Sequence, residues 1–384
     1  MASIYDSPLI LSAIVNSGKT ILTYFNDGII VESPTRWLHS LSGKPRYSPQ
    51  TVGQYGRSVI DFLNWLLEVE HYSKYSLDTV LKITTRRDIE HWIKDRKAVG
   101  IKASTLRNRE VAVKMLFDWL TTDEGSRIRT LHNTPYKTGK LISAPPERRK
   151  PRFVTSEDII RLLNGFHNES ERCLAHTLYD TGIRISESER LLKRDIPDPR
   201  GFPDGLKYYP LYVPGSKGRG GQIKERVAII SAPVLARIRR YHNSPEYRFS
   251  PYFGNTNSEK PAFLSVSGYR LSRRNFGKQM EYAATRVGLD PKFFSPHKLR
   301  HGAAFSILAS ELGKDYFDRL FLVQQVFGHN QITTTEIYTA IPPAILAKLN
   351  RDSVIKDKYE EAKGIKDATY LSLERHSERR GHRQ

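Results

Sequence analysis

The stretch FGHNQITTTEIYTAI, residues 327–341, sets a tyrosine nine positions (338 − 329) after a Gly-His pair, in a run of threonines. Tyr338 is either an amphipathic aromatic at the margin of a core, the usual place for tyrosine, or the residue that the rest of the chain positions. The residues upstream have to decide.

SPHKLRHGAAFSILAS, residues 295–310, reads as a helix with Ser295 as its cap and Pro296 at the first helical position. At helical spacing His297, Arg300 and His301 share a stripe with Ala304, Ile307 and Leu308. Polar cations on an apolar face need partners, because burying a lone charge is costly. Either internal carboxylates satisfy them or they converge on a bound anion. DTGIRISESERL, residues 180–191, poses the same choice. Arg184 lies between two predicted helices, either paired with Glu187 or turned toward a ligand that suits its fork, such as a phosphate. Lys217, in the glycine-rich turn GSKGRGGQ (215–222), is either an exposed turn lysine or a group on a hairpin that can approach a backbone closely.

Composition narrows the partner. The chain of 384 residues carries a formal net charge of +20, dispersed among folded-looking segments rather than confined to one tail. That footprint fits duplex nucleic acid better than an acidic protein or a membrane surface, for which a basic amphipathic helix is missing. No apolar run is long enough to span a bilayer, and SPLILSAIV near the N-terminus follows Asp6 rather than a basic region, so it reads as structure. Cys173 is the single cysteine, which excludes an intrachain disulfide and a cysteine-based metal site and fits a reducing, cytoplasmic compartment.

The pattern along the chain divides it into five parts. Residues 1–47 read as an N-terminal extension, a β-rich arm with Asp27-Gly28 as a hairpin signal. Helical periodicity over 48–135 predicts a compact helical domain, in which Ser104 and Thr105 are candidate caps. The proline-rich basic segment 136–153 is predicted to be an extended linker whose Lys137, Lys140, Arg148, Arg149, Lys150 and Arg152 either follow a phosphate backbone or are merely solvated. Residues 154–350 form a second domain. It has a capping box at Thr155, a helix stopping at Gly182, a helix over 186–196 and two strands, LKYYPLYV and KERVAII. Residues 351–384 read as a basic C-terminal tail.

Taken together and in this order, TGIRISE, the hairpin lysine, SPHKLRH and GHNQITTTEIYT resemble the motif boxes of the tyrosine recombinase (phage integrase) family, over roughly residues 48–345. The resemblance implies a mainly α protein with a small antiparallel β-hairpin in an α+β catalytic domain, behind a separate helical core-binding domain. It implies a site-specific recombinase that cuts and rejoins DNA through a covalent 3′-phosphotyrosyl intermediate, for integration or excision of a mobile element. On the family's pattern Tyr338 is the nucleophile, Arg184 and Arg300 grip the non-bridging oxygens, and His329 donates a further hydrogen bond. His297 helps deprotonate Tyr338, Lys217 protonates the departing 5′ oxygen, and Glu187 and His301 support this shell. No metal or other cofactor is implied. The implied partners are double-stranded DNA with inverted-repeat core sites and a homo-tetramer on two such sites, with room for accessory DNA-bending or directionality proteins. A cytoplasmic, nucleoid-associated enzyme follows.

Two features depart from the pattern. The hairpin is longer than the compact GKGxKxR turn, so Lys224 competes with Lys217, and Phe327 stands where leucine is customary. A type IB topoisomerase and a catalytically silent DNA-binding protein of the same fold are the rival readings.

Overall fold

The computed structural model describes residues 9–16, 19–146, 153–217, 223–254, 259–310, 312, 316–327 and 357–370. The chain falls into two compact units that divide at residue 150.

In the N-terminal unit, β1 (Leu9–Asn16) and β2 (Lys19–Asn26) pair antiparallel, and Asp27-Gly28 turns β2 into β3 (Ile29–Ile30). Both turn residues have positive φ, 49° and 79°, the geometry that Asp-Gly supplies in a two-residue hairpin. Five helices follow: α1 (Glu32–Ser42), α2 (Pro49–Glu68), α3 (Leu77–Ile83), α4 (Arg86–Ala98) and α5 (Ala103–Trp119). The Ser48 hydroxyl caps α2 at 3.2 Å from the Thr51 amide, with Pro49 at the first position. Helix α5 starts before the expected Ser104 and Thr105 caps, on Lys102, without a side-chain cap. Phe62 of α2 meets the rings of Trp92 and Phe117 edge-on at 5.2 and 6.1 Å and centres the core.

Residues 9–47 are not set apart from that core. Leu9, Tyr24, Trp37 and Leu38 are buried in one cluster with Val52, Val59 and Phe62. The Tyr24 hydroxyl donates to the Gly56 carbonyl at 2.9 Å. A Cβ at Gly56 would lie 2.8 Å from Leu11 Cδ2, so the glycine permits the helix to approach the sheet. The predicted linker is likewise fixed over its first half. Tyr136 is buried, and the buried Glu110 carboxylate accepts the amides of Ile142 and Ser143 at 2.5 and 2.9 Å. Lys137 and Lys140 are exposed. Arg148, Arg149, Lys150 and Arg152 lie outside the described residues.

The C-terminal unit is built around α7 (Glu169–Thr181), every residue of which is buried. Around it pack α6 (Ser156–Gly165), α9 (Ala232–His242), α12 (Pro296–Leu308) and the hairpin of β4 (Tyr208–Lys217) and β5 (Ile223–Ser231). The remaining helices are α8 (Ile185–Ser188), α10 (Pro245–Arg248), α11 (Arg273–Arg286), α13 (Tyr316–Phe327) and α14 (Lys358–Thr369). The helix expected over 186–196 is a single turn, α8. Beyond it the Leu191 carbonyl accepts the Ala262 amide at 2.9 Å and Leu192 bridges Pro261, which draws the chain out of helix.

The stretch 351–384 is not simply a tail, because α14 inserts Ala362 and Ile365 into the core. Three polar anchors hold it. Lys358 Nζ donates to the Asp180 carbonyl at 2.9 Å and its carboxylate at 3.2 Å, and the Tyr179 hydroxyl donates to Glu361 at 3.2 Å. Arg237, fully buried, grips Glu169 at 2.6 and 3.1 Å and donates to the Thr369 hydroxyl at 2.7 Å. Arg237→Met strands the buried Glu169 carboxylate and should cost about 3–5 kcal/mol. All four tryptophans lie in the N-terminal unit. Urea unfolding followed by circular dichroism should therefore show an early transition in this variant while the tryptophan-emission midpoint stays in place. An unchanged dichroism curve would deny Arg237 its structural role.

Candidate functional site: a cationic cluster at the end of α7

Helix α7 stops at Gly182, whose φ of 63° turns the chain into the left-handed region. A Cβ there would lie 2.2 Å from the Phe327 ring, so glycine is required twice over, for conformation and for space. The turn presents two groups. One is the Gly182 carbonyl, which accepts a hydrogen bond from Arg300 NH1. The other is Arg184, two residues on.

Arg300 comes from α12 and is buried, 3% exposed. Its NH2 donates to the Phe327 carbonyl at 2.7 Å, and its guanidinium carbon lies 4.3 Å from the centre of the Phe327 ring. The charge is thus solvated by two carbonyl dipoles and an aromatic face. Phe327 lies in α13, two residues before His329 in the sequence.

Arg184 is the accessible counterpart, with 39% of its side chain exposed. Its NH1 donates to Glu187 Oε1 at 3.0 Å and its amide to Glu187 Oε2 at 2.6 Å. The Glu187 carboxylate is 1% exposed. Arg226 of β5 donates to the same Oε2 at 2.7 Å. Burial opposes the charge on Glu187, but Arg226 and then Arg184 outweigh it and hold the pKa below the ordinary carboxylate value.

His297 and His301 lie on the first turns of α12, where Ser295 caps and Pro296 starts the helix as predicted. Their rings meet edge-on at 4.3 Å. The three polar residues of this helix do not share its buried stripe. Arg300 sits there, His297 is exposed and His301 is half-buried, because the packed face runs through Leu299, Ala303 and Ile307. The His297 pKa is lowered, first by the partial cover of its ring and then by the charges of Arg300, Lys298 and Arg184. It is therefore neutral, and able to accept a proton, around pH 7.

Lys217 ends β4 opposite Ile223, and Lys224 stands opposite Ser216. In the ladder, position 224 has the parity of Arg226, Ala228 and Ile230, whereas position 217 pairs with the parity of Glu225 and Val227. His329 and Tyr338 lie outside the described residues. The structure thus brings together Arg184, Glu187, Arg300 and His297. Arg226 was missed in the sequence, although a charge in phase with Ala228 and Ile230 in KERVAII is a legible signal of a paired inward cation. Among the described residues no group of three or more potential ligands could hold a metal ion, and no helix is long and apolar enough to cross a membrane.

The family model described as "Phage integrase family" matches residues 152–344, and that of the "Phage integrase, N-terminal SAM-like domain" matches residues 35–124. The chain is 26% identical over 329 residues to the tyrosine recombinase XerD of Rickettsia bellii, an alignment covering 83% of this chain and 97% of that protein. It is 26% identical over 318 residues to the tyrosine recombinase XerC of Natranaerobius thermophilus, covering 82% and 95%. Among solved structures the fold is similar to the Tn1549 transposon integrase in complex with circular intermediate DNA, with a TM-score of 0.57 and 16% identity over 83% of this chain and 98% of that one. It is also similar to the XerH recombinase bound to its palindromic difH substrate, with a TM-score of 0.55 and 18% identity over 79% and 80%. With one family model spanning half its length, and the cationic cluster lying inside that span, this chain belongs to the phage integrase family of tyrosine recombinases.

Proposed function

We propose that this recombinase integrates or excises a mobile element by cutting and rejoining DNA strands through Tyr338. The single observation that carries the mechanism is the pairing of a buried, carbonyl-held Arg300 with an exposed Arg184 beside His297. Transfer of a phosphoryl group to a phenol builds charge on the non-bridging oxygens, and preorganised cationic donors are the largest means of lowering that barrier. Arg184 and Arg300 supply that charge, and His329 adds a hydrogen bond. Arg300 does so while anchoring the chain just before His329. His297 takes the Tyr338 proton as the phenolic oxygen bonds to phosphorus. The bond to the 5′ oxygen breaks, and Lys217 protonates that oxygen as it leaves. The strand stays attached through its 3′ phosphate until a 5′ hydroxyl displaces the tyrosine, so the bond energy is conserved. We further propose that four copies act on two inverted-repeat DNA sites, and that the basic residues from Lys137 to Arg152 follow the DNA backbone. The segment 342–350, a candidate for docking on a neighbouring copy, lies outside the described residues.

A chromosomal, Xer-like role is the second reading, supported by the XerD and XerC names of the curated relatives. Sequencing the DNA around the gene separates the two. Short inverted repeats at the ends of a discrete element support mobility, and a lone site on a chromosome without such an element supports the second reading.

Tyr338→Phe should bind its site and form no covalent adduct with a nicked suicide duplex on a denaturing gel. An adduct band that survives in this variant removes Tyr338 from the reaction. The acid is separable by chemistry. A 5′-bridging phosphorothiolate gives a leaving group that needs no proton, so it should restore cleavage to Lys217→Ala and not to Arg184→Ala. Restoration in Lys224→Ala instead assigns the role to the position that shares parity with Arg226. The lowered His297 pKa sets the sign of the pH profile. Below that pKa the ring is protonated and cannot accept a proton, so single-turnover cleavage should fall on acidification with an inflection under the ordinary 6.5. His297→Gln should lower the plateau and abolish that limb, and a limb that persists unchanged excludes His297 as the acceptor.

A further inference from the structure

We infer that Arg226 is a positioning residue for cleavage, holding Glu187 and matching its charge so that the Arg184 guanidinium keeps its pull on the scissile phosphate. The inference rests on the reading of Arg184 as a phosphate clamp.

Glu187 is shared between two arginines of unequal exposure. Arg226 is 9% exposed and Arg184 39%, and the carboxylate between them is 1% exposed. Without Arg226, one carboxylate would face one guanidinium across 3.0 Å in a covered site, and Arg184 would be half of a neutral pair. Such a pair attracts a phosphate far less than a free cation does. With Arg226 the trio carries one net positive charge, and the exposed member is the one able to present it. The geometry of the oxygens agrees. Oε2 takes the Arg226 NH2 at 2.7 Å and the Arg184 amide at 2.6 Å, so only Oε1 bonds the Arg184 side chain. Among the described residues, the carboxylate aims the Arg184 side chain through one bond, from NH1.

Packing alone does not account for Arg226. Among the described residues its buried Nε and NH1 have no hydrogen-bond partner, whereas Arg237, which also grips a buried carboxylate, bonds the Thr369 hydroxyl and carbonyl as well. Arg226 also lies on β5, opposite Val213 of β4. It therefore ties the strand pair whose far end carries Lys217 to the loop that carries Arg184. Arg190 adds a second tie, donating from NH1 to the Gly215 carbonyl at 3.0 Å.

The test compares Arg226→Met, Arg226→Lys, Glu187→Gln/Arg226→Met and Arg184→Ala in the full-length chain. Binding to a nicked suicide duplex and the single-turnover cleavage rate are both measured, with circular dichroism to verify folding. Arg226→Met should bind as the parent does and cleave roughly tenfold to a hundredfold more slowly, approaching the loss of one oxyanion donor. Arg226→Lys, which keeps the charge, should recover most of the rate. The double variant should cleave faster than Arg226→Met, because no carboxylate is left to neutralise Arg184. A purely structural role predicts the opposite order, since the double variant removes more native bonds. Parental cleavage by Arg226→Met, or a folded double variant no faster than the single, overturns the inference. If Arg226→Met does not fold, Arg226→Gln takes its place in every comparison. Parental cleavage by Arg184→Ala would instead defeat the clamp reading itself, which keeps the two failures apart.

Discussion

The guanidinium of Arg300 joins two ends of chain that are far apart in sequence. It bonds the carbonyl of Gly182, where α7 stops, and the carbonyl of Phe327 in α13. A buried cation demands such partners, since an unpaired one costs several kcal/mol on the order of a whole domain's stability. The demand propagates. The carbonyl at 182 is available because the helix ends there in a left-handed turn, and the Phe327 ring fits because residue 182 has no Cβ. Gly182, Arg300 and Phe327 are therefore one device, and Arg184 is placed by it, two residues beyond a carbonyl that Arg300 holds.

The same rule shapes the interior of the catalytic domain. Arg172 donates to the carbonyls of Leu163 and Phe166, Lys260 to those of Tyr247 and Phe253, and Lys358 to Asp180. Each cation closes an element end or a loop whose carbonyls have no helical partner. A net charge of +20 is thus not all surface. Part of it is structural, spent on fixing turns around α7, and only the accessible remainder is available to a polyanion. The position of α14 follows from this use of charge, because its first residue, Lys358, donates to Asp180 and Arg237 donates to its last, Thr369.

What the sequence makes legible is what local rules govern. The Asp27-Gly28 turn, the caps at Thr155 and Ser295, and the stop at Gly182 each depend on a few adjacent residues, and each is found. The helix expected over 186–196 shrinks to one turn because Leu191 and Leu192 pair with Pro261 and Ala262, about seventy residues away, and such pairing leaves no periodic trace. Residues 9–47 and α14 read as appendages for the opposite reason. Their polar surfaces are ordinary, and their docking rests on long-range burial of a few side chains and on bonds such as Tyr24 to Gly56 and Tyr179 to Glu361. In the site, Arg184, Glu187, His297 and Arg300 were readable as a motif. Which of them would be buried was not, because a helical stripe shows that residues are neighbours and not which edge of the stripe meets the core.

That difference in burial has a consequence for catalysis. Charge in a covered site is barely screened by salt, while charge at an exposed one is screened within a Debye length of about 8–10 Å. On the proposed reading of the site, Arg300 contributes a fixed potential, held by carbonyls that need not move when phosphate arrives. On the same reading Arg184 contributes a contact whose strength depends on how far the Glu187 carboxylate already engages it. Preorganisation is therefore divided between the two arginines. One is rigid because its partners are backbone dipoles, and the other is aimed by a carboxylate whose charge must itself be offset. A second cation behind Glu187 is what such a design requires, and Arg226 occupies that place.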